Sequence, residues 1–439
     1  MRAEALRVES AEIQIAAAGL LELTSQKFTN SHLDADINIT RLTALSEWLD
    51  FSFPDQGLAL TADIDSQGGA LVISALTLRS GDSDLAVRGR VARAPDVQMK
   101  LDFTSNRINL DPWTATMREE NGTEAESGKS VSGDQPVLPD YRIRTAWFDD
   151  FSADANLRIA ELIGLPRPVF NVQGALTADE NGLRIDHLSA ENERGGGATL
   201  RGSLLRSTGA TLQLDVSIEG FDLVMGIPKA PSEEIDSLPS YEFKTQVGGA
   251  GATTRELASS LNGYLTAVMG SGKVLNVGFD RLTNSFLQEL SQVLNPLQSE
   301  KDNTTINCAA AFITIESGKL VGKPAIVVDT PDVKISSNIT LDLGSERIKA
   351  KFKTVPQKGL GFSVSSVFNP YVEVTGTLAK PQITVDPANT VVGGSLAVMT
   401  GGLSILAQNV ADRMSSSGNI CAERLSRAQE EISTRSGQN

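Results

Sequence analysis

Apolar and polar residues alternate at period two along most of this chain, and glycine-centred turns break the alternation. Val97-Gln98-Met99-Lys100-Leu101-Asp102-Phe103 is one such run, and Leu212-Gln213-Leu214-Asp215-Val216-Ser217-Ile218 is another. Ile339-Thr340-Leu341-Asp342-Leu343 with Ile348-Lys349-Ala350-Lys351-Phe352 is a third. Successive side chains of a strand point to opposite faces, so each run predicts a strand with one oily and one wet face. The runs return as units. Gly69 to Leu76, Leu85 to Val91, the Val97 run and Ile108 to Asp111 make one pass. Asn181 to Leu188, Thr199 to Leu204, the Leu212 run and Phe221 to Leu223 make the next. Glu316 to Leu320, Val333 to Ile335 and the two runs after them make the last. Each pass reads as antiparallel strands joined by short turns. Sheet units that repeat without helices between them predict an elongated, mainly β structure rather than a closed barrel.

Helical text is confined to Thr40–Leu49, Arg255–Met269 and Phe279–Leu294, the last with Phe279, Leu282, Phe286, Leu290 and Leu294 at helical spacing. The later two are expected to cap the oily sheet face; contact with a membrane or a partner is the alternative. Residues 118–140 are rich in Glu, Gly, Ser and Pro and predict a mobile linker. A second linker is expected over 228–240, where Pro228, Pro231 and Pro239 flank Glu233-Glu234. The expected division is a β-repeat segment over 1–117, a second β unit over 141–227, a third over 241–386 and a helical tail over 387–439. Pro387 to Ala411 carries no charge, but glycine pairs dilute it. A helix packed on the sheet end or lying on a membrane surface is expected there in preference to a span.

Composition narrows the functional classes. The formal charge is −15, aromatics make up 5% of residues, and Lys and Arg read as scattered, so nucleic acid is not an expected partner. Cys308 and Cys421 are either two idle thiols or one disulfide that ties the tail to the last sheet segment and requires an oxidising compartment. His32 and His187 stand in different segments without ligand spacing and read as solvated or hydrogen-bonded side chains, so no metal site is expected. Met1 to Leu6 has neither a basic n-region nor an apolar h-region. Either the protein is cytosolic, or this chain begins inside a longer protein whose export signal lies upstream. No Walker loop, GxGxxG, HExxH, CxxC or GxSxG motif is present. Arg194-Gly195-Gly196-Gly197-Ala198 lies between strands and reads as a hairpin turn, not a phosphate cradle. Asp149-Asp150 and Glu430-Glu431 read as solvated charge, so the chain is expected to be non-enzymatic and without a cofactor.

Four stretches share an order with a known family. Ile108-Asn109-Leu110-Asp111-Pro112-Trp113 leads through the acidic loop to Asp154-Ala155-Asn156-Leu157-Arg158-Ile159. Phe170 to Leu188 is followed by Gly195 to Leu204, and Leu261-Asn262-Gly263-Tyr264 and Gly270 to Val274 by Cys308 to Leu320. Tyr371 to Pro387 closes the set with a Gly-then-Pro ending. Across residues 55–425 this resembles the C-terminal region of AsmA-like envelope proteins and their TamB-type relatives. The chain departs from the family in lacking the usual signal-anchor helix at its start, which suggests an internally started chain.

The resemblance implies a long, curved antiparallel β-groove, open like a taco, with a few capping helices mostly toward the C-terminus. It implies a periplasmic location, with an inner-membrane anchor in the full-length protein. The implied function is to bind or guide phospholipid between inner and outer membranes, or to support outer-membrane assembly. The expected partner is phospholipid or another acyl lipid, with a membrane surface or envelope proteins at the chain ends. The groove lining is expected to include Leu85, Val87, Val97, Met99, Leu101, Leu200, Leu212, Leu214, Val216, Ile339, Leu341 and Leu343. A structural or regulatory scaffold, with the oily face filled by its own helices, is the alternative.

Overall fold

The computed structural model describes residues 5–10, 12–20, 23–24, 27–28, 32–46, 52–92, 96–114, 136–149, 151–165, 167–207, 209–222, 239–275, 294, 303–357, 371–385, 420–421, 424 and 426. Within them the protein is mainly β. The chain divides into two compact units, Met1–Ser130 with Ile143–Val216, and Val131–Arg142 with Ser217–Asn439.

The first unit holds β1 (Ala5–Glu9), β2 (Ile13–Leu20), β3 (Leu23–Thr24), β4 (Lys27–Phe28), β5 (His32–Ile39), β6 (Leu58–Gln67), β7 (Ala70–Ser80), β8 (Ser83–Ala92) and β9 (Val97–Asn109). It continues with β10 (Phe151–Ile163), β11 (Val169–Asp179), β12 (Gly182–Glu191) and β13 (Gly197–Arg206), and most of β14 (Ala210–Asp222) belongs to it. Strands β1, β2, β5, β6, β7, β8 and β9 pair in that order as an antiparallel meander, with β3–β4 as a separate short ladder. The turn between β6 and β7 sits on Gly68 and Gly69, with φ of 61° and 82°. A side chain resists that backbone region.

One join differs from the antiparallel expectation. β9 and β10 pair in parallel, Val97 beside Phe151 through to Asn109 beside Ile163. The polar face locks this register: Lys100 meets Asp154 at 3.4 Å, Asn156 donates to Asp102 at 2.9 Å, and Arg107 donates to Glu161 at 2.6 Å. A period-two pattern reads the same in either strand direction. Only a long connection lets neighbours run parallel, and residues 110–150 supply one. From β10 to β13 the meander resumes antiparallel.

The second unit holds β15 (Ser240–Gly251), α1 (Thr254–Ser260), β16 (Asn262–Met269), β17 (Gly272–Leu275), β18 (Asn303–Ile306), β19 (Cys308–Glu316), β20 (Lys319–Asp329), β21 (Val333–Asp342), β22 (Arg347–Pro356), β23 (Tyr371–Gly376) and β24 (Pro381–Val385). β15, β16, β19, β20, β21, β22, β23 and β24 pair antiparallel in sequence order, and β17–β18 forms a short separate ladder. Apart from the two short ladders, these strands belong to one 20-stranded sheet, in which, among the described pairings, β1 and β24 each have a single neighbour, so it stays open rather than closing into a barrel.

The helix predicted over 255–269 is confined to Thr254–Ser260. Thr253 caps it by accepting from the Glu256 N–H at 3.2 Å, and the Glu256 carboxylate accepts from the Ala252 N–H at 2.8 Å. Leu261 turns extended with ψ of 137°, and Asn262 onward joins the sheet. Gly263, at φ 144°, lets β16 approach β15 where an added Cβ would stand 1.9 Å from the Gln246 carbonyl oxygen. The predicted Thr40–Leu49 helix is a 3-10 turn over Leu42–Leu45, with residues 47–49 outside the described set. Of the predicted 279–294 helix only Leu294, buried and helical, is described, and residues 387–411 lie outside the described residues. No described helix is long and apolar enough to cross a membrane.

The far end of the predicted 118–140 linker is held within the second unit. The buried Glu346 carboxylate accepts from the Val137 and Leu138 N–H groups at 2.8 and 2.7 Å. Arg255 donates to the carbonyls of Leu138 and Gly344 at 2.9 and 3.0 Å, and the Thr254 hydroxyl donates to the Pro139 carbonyl.

Candidate functional site

The first unit carries a ruled apolar face. Paired residues share a face of a sheet, so register sorts the side chains into rows. One row runs Met99, Ala153, Ala178, Leu183, Leu204. The next runs Leu101, Ala155, Leu176, Ile185, Gly202, and a third Phe103, Leu157, Gly174, Leu188, Leu200. Val87 extends the third row through its pairing with Phe103. Leu214 of β14 lies beside the second row, its Cδ1 3.4 Å from where a side chain at Gly202 would begin.

These side chains are only partly covered. Leu85, Val97, Met99, Leu101, Leu200, Leu212, Leu214 and Val216 are all half-buried, and Val87 alone among the nine first-unit candidates is buried. On the same strands the intervening residues Arg88, Lys100, Asp102, Asp154, Asn156 and Asp215 are exposed. The amphipathic reading therefore holds strand by strand, while the apolar side retains accessible surface.

The remaining candidates belong to the second unit. Ile339 pairs with Ala350 and Leu341 with Ile348, whereas Leu343 lies past the end of β21 in the turn to β22. All three are half-buried. Some apolar positions of this unit are closed, Phe312, Ala350, Val372 and Val374 being buried at 1–2% exposure, while Val321, Ile326, Val328, Ile335 and Phe352 stay half-buried.

Part of that closure comes from the tail. Cys308 and Cys421 are joined in a disulfide across 113 residues. Ile420 and Cys421 pack with Ala310 and Val327, with Cys308 and Val355 at the margin. Arg424 is buried, sets its guanidinium 4.8 Å from the centre of the Phe312 ring, and donates to the Pro324 carbonyl at 2.8 Å. The tail is thus pinned by a covalent bond, an apolar contact and a cation over an aromatic ring.

A histidine–carboxylate network stands on the wet face of the first unit, where the sequence suggested a solvated or hydrogen-bonded histidine. His32 and Asp65 are register partners on β5 and β6, as are Asp34 and Asp63. The ring Nδ1 is 2.7 Å from Asp65 and Nε2 is 3.0 Å from Asp34. Hydrogen bonding to Asp65 first, then Asp34, raises the imidazole pKa above its ordinary value. Ligating atoms of His32, Asp63 and Asp65 lie within 4.8 Å of one another, and Asp63 Oδ1 is buried without a hydrogen-bond partner. Both ring nitrogens have carboxylate partners, whereas Asp63 Oδ1 has none. His-x-Asp facing Asp-x-Asp is the signal for it, and it becomes visible only once the register is known. His187 is exposed on β12, opposite Ala175.

The Arg194 glycine run forms the turn between β12 and β13, with Glu191 paired to Gly197. The Asn192 side-chain oxygen accepts from the N–H groups of Arg194 and Gly196 at 3.0 and 2.7 Å, so the turn's donors are taken up internally.

Compared with known protein families, curated proteins and solved structures, the chain finds no match.

Proposed function

We propose that the protein is a non-enzymatic, lipid-binding protein of the cell envelope, of the AsmA-like type. In this reading the apolar face of the first unit shelters acyl chains of phospholipid, and the protein holds or guides that lipid between membranes during outer-membrane assembly. The observation that carries the reading is the set of apolar rows across β9–β13, in which every residue but Ala178 and Gly174 stays half-buried. Covering apolar surface yields about 25 cal/mol per Å², and each buried methylene about 0.8 kcal/mol. A long acyl chain is therefore a favourable occupant of such rows. The Cys308–Cys421 disulfide agrees with an oxidising compartment, as a periplasmic location requires.

Lipid extracted from the purified protein and identified by mass spectrometry tests this. The wild type should carry phospholipid, and Leu101→Asp combined with Leu214→Asp, both in the first unit, should lose it while the strand signal in circular dichroism persists. Purified wild type without bound lipid would sink the reading.

The packing of Ile420 and Cys421 on Ala310 and Val327 favours a second reading for the second unit. There the tail covers Ala310, Val327 and Val355, on the face that register also gives to Ser336 and Lys353, as in an envelope scaffold. That arrangement alone leaves no lipid to extract from the second unit.

A further inference from the structure

Arg347, Lys349, Lys351 and Lys353 occupy alternate positions of β22, so all four side chains leave one face of the sheet. Arg347, Lys349 and Lys351 are exposed and Lys353 is half-buried. At about 3.3 Å per residue the charges repeat roughly every 6.6 Å over ~20 Å. On the neighbouring strand the register partners are Asp342, Thr340, Asn338 and Ser336, which place a single acid in the row. Lys319 adds a fifth cation as the partner of Asp342 on the other side, with Glu316 opposite Lys319 at the hairpin. Glu373 stands beside Lys351, and its carboxylate is 3.6 Å from Lys349 Nζ. Asp342 also accepts from the Ser345 N–H at 2.9 Å. At the Arg347 end a concavity of about 650 Å³ is lined by Lys319, Arg347 and Lys349, the acid Asp342, and the hydroxyl-bearing Thr340, Ser345, Thr375 and Thr377. Cations thus outnumber carboxylates on this face, in a chain whose formal net charge is −15. The scattered distribution expected of Lys and Arg does not hold here.

We propose that this face of the second unit docks the protein on a bilayer bearing anionic headgroups. Parallel side chains several ångströms apart do not converge on one anion; they address charge spread over a surface. Screening confines that interaction to roughly 8–10 Å at physiological to moderate salt, so an apposed surface reads the nearest row rather than the chain's net charge. Each basic residue at such a surface contributes roughly a fivefold gain in partitioning. Docking goes beyond the acyl-chain reading and does not depend on it, because the two use different units and different chemistry.

Co-sedimentation of the full chain with vesicles tests the proposal. The protein should bind phosphatidylglycerol mixed into phosphatidylcholine, should not bind phosphatidylcholine alone, and should release as salt is raised. Replacing Lys349, Lys351 and Lys353 together by Gln should weaken binding roughly a hundredfold, from three fivefold steps. Arg88→Gln, Arg90→Gln and Lys100→Gln remove the same net charge from the first unit and should leave binding unchanged. Should the triple replacement misfold, Lys351→Glu alone, checked by circular dichroism, must still weaken binding. Equal binding to neutral vesicles, an unaffected row variant, or an equal loss in the first-unit control overturns the proposal. So does competition by inorganic phosphate at constant ionic strength, which marks a single-anion site, or tighter retention by a DNA duplex. Lipid carried through purification is measured on the same samples. Its absence alone bears only on the acyl-chain reading.

Discussion

His32, read from the sequence as solvated or hydrogen-bonded, gains two carboxylate partners once strands pair. Its two carboxylate neighbours hold the protonated ring, raising its pKa above the ordinary value of 6.5. A histidine whose folded pKa is raised stabilises the fold fully below its unfolded value, and that contribution fades as pH climbs through the folded value. A proton NMR titration of the His32 ring should therefore give a midpoint above 6.5 that falls in Asp65→Asn, since Asp65 is the largest cause of the shift. A midpoint unmoved by Asp65→Asn would remove the basis for the network. The sequence holds every residue involved, yet 33 positions separate His32 from Asp65, and nothing in local spacing signals their meeting.

At the scale of elements, alternation was the reliable guide. The Val97, Leu212, Ile339 and Ile348 runs lie in strands, except that Leu343 falls in the turn after β21, and their strand apolar positions face one way as expected. Direction was not legible, because the alternation beside β9 fits a parallel and an antiparallel neighbour equally well. Helix length was misread between Arg255 and Met269, where Leu261 and Gly263 switch the backbone into a strand whose apolar residues also suit a helix. The basic row was present as Arg-x-Lys-x-Lys-x-Lys but is diluted when charges are counted over the whole chain. The cysteine pair was an open choice in the sequence, and its joining makes the tail a packed element of the second unit. A cross-link spanning 113 residues constrains the unfolded chain strongly. Cys421→Ser should lower the stability of the second unit by about 2–4 kcal/mol in denaturant unfolding. It should also speed tryptic cleavage after Arg424, which is 3% exposed in the intact protein. Unchanged cleavage after the bond is lost would mean that the tail is held by packing alone.

For the molecule as a whole, the two units are not consecutive blocks. The chain leaves the first at residue 130, contributes residues 131–142 to the second, and returns for residues 143–216. The parallel join of β9 and β10 is what this excursion spans. Its consequence lies in the order of events during synthesis. Strands β9 and β10 can pair as soon as both have left the ribosome, but the N–H groups of Val137 and Leu138 wait for a carboxylate 209 and 208 residues further along. Residues 136–142 are therefore unheld until Thr253, Thr254 and Arg255 emerge, and the Val137 and Leu138 N–H groups are capped only when Glu346 does. Nascent chains stalled before Thr253 should be cut by protease within residues 136–142, and chains released complete should resist. Equal protection in both would place the sealing of this loop elsewhere.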